Sequence, residues 1–509
     1  MLEYRKTKKE GINMYEKVTP ESVGVKSEDI KKYVETLENA TLSTHSIVMM
    51  RHGKVFYEAY WEPFDENFLH RMYSVSKSFV ALAIGFLEQD GLINLDDKIV
   101  DCLDAEITKN ANDKIKTQTI KNMLMMSTGK PLDPWNWFQL NAPDRVKAYF
   151  DTSDCNPHMQ RIPGCIFEYD SWGSFVLGAL VEKKTGKKLM DYLREKMFDK
   201  IGVSKEACCL ECPGGNAWGD SAVLCTSLDL AKVVNFTMNM GKHNDEQLLN
   251  REFVEKATSN LIDTNAGTYT ASSYGYGYLI WRTRENSFFF NGMGCQFGIA
   301  IPDKDMVFVI NSDNQGILNA KSTIIDNFYE IVVHNVEENS IEENAKAHSE
   351  LLDYSKSLKL FSLKNSKDIN VASKISGKTF ILSDNPMGIK DIKLTFSGNE
   401  GVFEYTNAQG HKELKFGIEE NIFGKFPQEG YSDLVGGEFA PGNYYECAAS
   451  GAWTNENQLA VAVQVIDKYF GRLHIRFAFP DENTIAVEMN KVAENFMNEY
   501  QGYAEGIAQ

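Results

Sequence analysis

Apolar positions recur with two different periods along this chain, and the mixture changes near residue 350. Before that point helical and strand spacings alternate. Residues 46–60, SIVMMRHGKVFYEAY, form two β-rich runs around His52-Gly53, the pattern of a hairpin. Residues 74–90 place Phe79, Leu82, Phe86 and Leu87 at helical spacing with Gly91 as a stop, which predicts an amphipathic helix. Helical spacings also cover 118–126 and 172–198, the second interrupted at Thr185-Gly186. SFFF at 287–290, QFGIAIP at 296–302 and MVFVINS at 306–312 then read as strands, and Asp303-Lys304-Asp305 turns the last two into a hairpin. Strands at both ends with helices between them predict an α+β fold, one mostly antiparallel sheet flanked by helices.

The later part differs. Residues 341–359 suit a polar helix, and SLKNSKDINVASK reads as a polar linker. From about residue 377 the runs KTFIL, IKLTF, VFEYT, ELKFGI, QLAVAVQVI, LHIRFAF and TIAVEM alternate at the spacing of an all-β barrel or sandwich. The expected organisation is an N-terminal extension over 1–17, an α+β domain over 18–340, a helix and linker over 341–372, and a β-rich domain over 373–509.

Composition narrows the function classes. The chain has 509 residues, 43% hydrophobic and 24% charged, with 53 basic against 71 acidic residues and a formal charge of −18. That balance disfavours nucleic acid and anionic membrane as partners, because both repel it. Residues 1–20 lack an apolar h-region and a small-residue cleavage site, and no run has the roughly 20 apolar residues of a spanning helix. The nine cysteines are scattered and odd in number. A reducing cytoplasm is therefore expected. Cys209 and Cys212 form a C-x-x-C without a second pair or a histidine at zinc spacing, so they read as ordinary thiols. No G-x-G-x-x-G follows a strand at the front, and no cofactor or metal is expected.

The candidate chemistry lies in Tyr73-Ser74-Val75-Ser76-Lys77-Ser78. Ser74 and Lys77 stand three apart at the start of a helix, so both project from one face. The first helical turn and burial both disfavour an ammonium, and a neutral Lys77 could take the Ser74 proton and make that hydroxyl a nucleophile. Alone, the segment reads better as an ordinary helix start with capping serines. Literal Ser-Asp-Asn and Lys-Thr-Gly matches exist at 312–314, 383–385 and 184–186, but in the wrong order and in the wrong elements. Gly186 reads better as a helix cap. A different set fits: Tyr169-Asp170-Ser171 ahead of a second helix, and Phe290-Asn291-Gly292-Met293-Gly294-Cys295-Gln296 between two strands, where the glycines would let backbone approach a ligand.

These segments resemble the serine beta-lactamase and penicillin-binding-protein-like superfamily, most closely its class C-like esterase and 6-aminohexanoate-oligomer hydrolase branch. The resemblance spans roughly residues 18–335 and includes PESVGV, RHGKVFYEAYW, YSVSKSF, DGLINLDDKI and LMMSTG. It implies a beta-lactamase/transpeptidase-like antiparallel sheet flanked by helices, and a lipocalin-like all-β appendix serving packing, assembly or a lid. It also implies Ser74 as acylated nucleophile, Lys77 as its proton acceptor, and Tyr169 as the motif-two tyrosine that serves both nucleophile and leaving group. Ser171 stands where class C enzymes have Asn. Gly292 matches the glycine of motif three, and the backbone N–H groups of Ser74 and Met293 would form the oxyanion hole. Asn291, Gly294 and Phe290 complete the substrate-binding strand. Trp135 and Trp137 fall where relatives often wall the pocket, although plain packing suits them as well. His158 reads as a surface histidine and Asp170 as a cap of the following helix.

Phe290 departs from the family pattern, since a Lys or His is usual there. The cation that meets a beta-lactam carboxylate is thus missing, which disfavours a beta-lactamase or D-Ala-D-Ala peptidase. The expected activity is a metal-free esterase or amidase acting on a small, uncharged or apolar acyl substrate. An acyltransferase using the same acyl-enzyme is the first alternative. A non-catalytic binding module is the second, disfavoured by intact Ser74, Lys77 and Tyr169. A homo-oligomer is left open.

Overall fold

The apolar runs at the two ends of the first part pair across the chain into one sheet. In the computed structural model, residues 15–130, 142–153, 157–264, 272–367 and 371–509 are described. The strands are β1 (Thr44–Arg51), β2 (Lys54–Tyr60), β3 (Trp281–Arg282), β4 (Phe288–Gly292), β5 (Gln296–Ile301) and β6 (Met306–Ser312). Their order is β2-β1-β6-β5-β4-β3 with every neighbour antiparallel, so the chain's first and last strands of this unit lie side by side at its centre. The hairpin at His52-Gly53 and the strand pair around Asp303-Lys304-Asp305 form where the sequence places them.

Six helices frame the sheet and the site: α1 (Ser27–Asn39), α2 (Ser76–Gln89), α3 (Ser171–Thr185), α4 (Ser227–Met238), α5 (Ala320–Ile331) and α6 (Ala345–Ser355). All eight residues of β1 are buried, because both faces of the sheet are covered. On one face Ile47, Met49, Ile299 and Phe308 pack with Tyr33 of α1, Phe328 of α5 and Leu351 of α6. The Phe308 and Phe328 rings stack at 4.0 Å. On the other face Gly298 of β5 leaves room for Val234 of α4, whose Cγ2 would lie 2.6 Å from an added Cβ.

Two helices differ from expectation. Helix α2 is predicted amphipathic and α3 shows helical spacing, yet Ser76 to Leu87 and Trp172 to Val181 are buried without interruption. They pack against each other inside the unit, so an apolar surface is needed all round, and water reaches them only at Ser171 and in their last turns. The interruption at Thr185-Gly186 is the end of α3: Gly186 takes φ +67° and its N–H donates to the Glu182 carbonyl at 2.8 Å. The Lys184-Thr185-Gly186 match is therefore a helix terminus.

The second unit comprises Leu360–Asp433 and Gly437–Gln509, while Leu434–Gly436 groups with the first. Of the segment 362–374, expected as linker, the last residues belong to a short helix, Val371–Ile375. Beyond it nine strands close into a barrel, sealed by a parallel pairing of Gly410–Ile418 with Glu446–Asn455, and Ile422–Lys425 adds a further strand on Glu446–Asn455. Aromatic side chains pack within this unit, with the Tyr405 and Tyr500 hydroxyls 2.7 Å apart. Sequence reading missed Glu446–Asn455 and Gly502–Ala508, whose Ala, Ser and Gly residues carry little strand preference. Small residues are needed there: a Cβ on Gly451 would meet the Phe416 ring at 2.7 Å.

Candidate active site

Ser74 sits in a 3-10 turn, Tyr73–Val75, that runs directly into α2. Two anchors fix this turn. The Met72 N–H donates to the Val223 carbonyl at 2.9 Å, and the Val223 N–H donates to Ser76 Oγ at 3.0 Å. Ser78 Oγ in turn donates to the Leu279 carbonyl at 2.9 Å. The two serines without a lysine three residues on thus hold neighbouring segments against the helix, and Ser74 remains the partly exposed one.

Lys77 is 1% exposed and reaches Ser74 directly, Nζ to Oγ 2.9 Å. Its second partner is the Asp220 carbonyl at 2.6 Å. The Tyr169 ring lies over the same amine, 5.2 Å from Nζ to the ring centroid. One amine therefore links the hydroxyl ahead of α2, the tyrosine ahead of α3 and the 220 loop. Tyr169 stacks on Trp281 of β3 at 5.9 Å, and Trp281 also meets Tyr276 at 4.8 Å and Phe167 at 5.4 Å. This aromatic wall went unread in the sequence, because its members are spread over more than a hundred residues.

Asp170 lies between Tyr169 and Ser171 and caps α3 by accepting from the Gly173 N–H at 2.9 Å. It also accepts from Thr128 Oγ1 at 2.9 Å and from the Tyr149 hydroxyl at 3.1 Å, with the Lys130 ammonium at 3.6 Å. Burial pushes the Asp170 carboxyl up, but Lys130 and these donors outweigh it and hold the group below its ordinary value. Burial dominates at Lys130, whose amine is pushed down despite Asp170. Ser171 opens α3 and its Oγ donates to Asp220 Oδ2 at 2.8 Å.

One strand in from the edge of the sheet, β4 ends in Gly292 and turns through Met293, Gly294 and Cys295 into β5. A Cβ on Gly292 would fall 2.5 Å from the Met72 carbonyl oxygen, so this glycine lets β4 approach the segment leading into Ser74. Gly294 takes φ +75° to make the turn. Buried Gln296 staples that turn, its Nε2 donating to the Met293 carbonyl at 2.9 Å and its Oε1 accepting from the Ser312 N–H at 3.1 Å. Met293 is 37% exposed and Asn291 half-buried, whereas Phe290 is completely buried. The ring at position 290 is thus one that no solvent reaches.

Trp135 and Trp137 lie outside the described residues. His158 is exposed. Cys212 is buried with Arg145 Nη1 at 3.0 Å from its sulfur, and burial pushes its thiol up to about 12. Among the described residues no group of three His, Cys, Asp or Glu side chains is arranged to hold a metal ion, and no helix is long and apolar enough to cross a membrane.

Several solved structures are similar to this chain. A protein of Bacillus anthracis with a provisional 6-aminohexanoate-dimer hydrolase assignment superposes with a TM-score of 0.51 at 18% identity, over 64% of this chain and 88% of its own. The octameric penicillin-binding protein homologue from Pyrococcus abyssi gives 0.48 at 15% identity, over 94% and 99% of the two chains. EstCE1, a hydrolase with promiscuous acyltransferase activity, gives 0.49 at 15% identity, over 60% and 99%. At 18% identity the likeness to the Bacillus anthracis protein is one of fold. The family model Beta-lactamase matches residues 31–318, more than half of the chain, and the chain belongs to that serine-hydrolase family.

Proposed function

We propose that the protein is a serine acyl hydrolase, an esterase or amidase that works through an acyl-enzyme on Ser74. The observation that carries this reading is the Lys77 amine, 2.9 Å from Ser74 Oγ and 5.2 Å from the centre of the Tyr169 ring. A hydroxyl within hydrogen-bond reach of a base, with a second proton-handling group beside it, is the arrangement that activates a nucleophile. Ser74 Oγ attacks the acyl carbon while its proton passes to Lys77. The tetrahedral oxyanion is received by the backbone N–H groups of Ser74 and Met293. As the intermediate collapses, the bond to the leaving alcohol or amine breaks, Tyr169 gives its hydroxyl proton to that group, and the proton held on Lys77 replaces it on Tyr169. Water then attacks the Ser74 ester by the reverse relay and releases the acid. The buried Phe290 supplies no charge to a substrate carboxylate, which favours an uncharged or apolar acyl group.

The test is incubation of wild type and Ser74→Ala with p-nitrophenyl butyrate, followed by intact mass. The wild type is expected to turn over and to carry an acyl adduct that Ser74→Ala lacks. Turnover retained by Ser74→Ala would remove the mechanism. An adduct released only by added alcohol or amine would make the protein an acyltransferase.

A further inference from the structure

Gln296 opens β5 behind the turn that carries the Met293 N–H, and its side chain is completely buried. A primary amide has two N–H donors and two lone pairs to place, and burial makes each one costly to leave unmet. Gln296 places all four. Its Nε2 donates to the Met293 carbonyl at 2.9 Å and to the Ser312 carbonyl at 2.5 Å. Its Oε1 accepts from the Ser312 N–H at 3.1 Å and from Asn311 Nδ2 at 3.2 Å. The β5–β6 ladder begins only at Phe297 and Ile310, so at Ser312 this side-chain amide stands in for a strand peptide. The next carbonyls of the turn are held from the same side. Ser312 Oγ donates to the Gly294 carbonyl at 2.7 Å with the Cys295 carbonyl at 3.1 Å, and the Asn314 N–H donates to the Gly294 carbonyl at 3.0 Å. The turn needs this support, since Cys295 takes φ +71°, a conformation that favours glycine. Asn311 extends the network toward the nucleophile, its Nδ2 also lying 3.6 Å from the sulfur of Met72, two residues ahead of Ser74.

We propose that Gln296 is a positioning residue for oxyanion stabilisation: its buried amide fixes the Met293 peptide, so that the donor of the turn is aimed before substrate arrives, and Ser312 secures the rest of the turn. Gly292 is pressed against the Met72 carbonyl on one side and Gln296 holds the Met293 carbonyl on the other. The Met293 N–H between them has little freedom to swing. A donor aimed in advance stabilises the tetrahedral state without reorganisation, whereas a loose one must be ordered as the charge develops. Gln296 acts through the main chain of Met293 and not by contact with the reacting atoms. This inference rests on the Ser74 acyl-enzyme and the Met293 donor described above.

Gln296→Met keeps the length of the side chain and removes all four hydrogen bonds. Two quantities are compared with wild type: kcat/KM on p-nitrophenyl butyrate, and the affinity for butylboronic acid, whose tetrahedral adduct on Ser74 places an oxygen in the same hole. Both are counted per site that a saturating fluorophosphonate labels, which removes unfolded protein from the comparison. Gln296→Met is expected to lower kcat/KM by about 10- to 100-fold, less than outright loss of an oxyanion donor, with the fall in kcat and KM little changed. Butylboronic acid should weaken by a similar factor, because it mimics the tetrahedral state. A residue that only stabilised the turn would lower the unfolding midpoint and leave both values per labelled site at wild type. That result overturns the proposal, and so does a change in only one of the two quantities. If Gln296→Met does not fold, Ser312→Ala decides: a loss of about 3- to 10-fold in both quantities supports the proposal, and wild-type values overturn it. Failure of p-nitrophenyl butyrate to acylate Ser74 in the wild type would instead remove the acyl-enzyme reading.

Discussion

Tyr73 bears the hardest backbone demand beside the candidate nucleophile. It takes φ +47°, a region that costs a side-chain-bearing residue about 1–3 kcal/mol, and it does so with its ring 1% exposed. Arg71 covers that ring at 4.3 Å and is itself stacked on Trp218 at 4.7 Å. Packing therefore holds the bend that presents Ser74. On the proposed mechanism, Ser74→Ala should lower kcat on p-nitrophenyl butyrate by at least about a thousandfold. Tyr169→Phe, which keeps the stack on Trp281 but removes the hydroxyl, should lower it by about 100- to 10,000-fold with a smaller change in KM. Unchanged kcat in Tyr169→Phe would assign the proton relay elsewhere. The Ser74–Lys77 pair was readable from sequence because a three-residue spacing on a helix is a local relation. The second anchor of Lys77 was not, since a main-chain carbonyl 143 residues away has no signature in residue type.

At the scale of elements, the segment carrying Tyr169 and Ser171 is held by one cap. Asp170 satisfies the start of α3 and forms a buried ion pair with Lys130, whose side chain is 12% exposed against 2% for Asp170. Removing one partner leaves the other charge buried and uncompensated. Asp170→Ala is expected to destabilise the first unit by about 3–5 kcal/mol and to lower kcat through loss of the Tyr169 and Ser171 placement. An unfolding midpoint within error of wild type would show that the pair is not structural. A second element-level contact is β4 against the Ser74 segment. Gly292→Ala places a Cβ 2.5 Å from the Met72 carbonyl, and the strand must move away from the nucleophile. Overpacking of this kind costs about 1–3 kcal/mol, and kcat should fall further than the stability loss alone explains. The hairpins and the helix starts were readable because alternation and caps are local signals. The full burial of α2 and α3 was not, because it depends on what packs around a helix. The strand Glu446–Asn455 was missed for a related reason: its small residues suit a crowded barrel wall and read as nothing in isolation.

For the whole molecule, two electrostatic effects oppose each other as the solution is acidified. The chain carries −18 at neutral pH with an isoelectric point near 5.1, so falling pH relieves self-repulsion and favours the compact state. Buried histidines act the other way. His70 lies next to Arg71 with its Nδ1 3.2 Å from the Arg71 carbonyl and its Nε2 2.7 Å from His45 Nδ1. The carbonyl can only accept, so neutral His70 donates from Nδ1 and accepts at Nε2. A second proton would set two donors against each other. Burial pushes the His70 imidazole down to about 3, only partly offset by its bond to the Arg71 carbonyl. His243 and His474 are lowered by burial as well. The unfolded chain therefore binds protons that the folded chain refuses. The His70 contribution is complete above its ordinary value of 6.5 and is lost as pH falls from there toward about 3, at up to about 1.4 kcal/mol per pH unit. Surface repulsion is screened beyond about 10 Å in ~0.1 M salt, whereas a buried imidazole is not. The histidine effect should win. The denaturant midpoint of the first unit is expected to fall between about pH 7.5 and about pH 5.5, and His70→Gln, which cannot titrate, should flatten that slope. A midpoint that rises over the same interval would show that charge relief governs the acid limb instead.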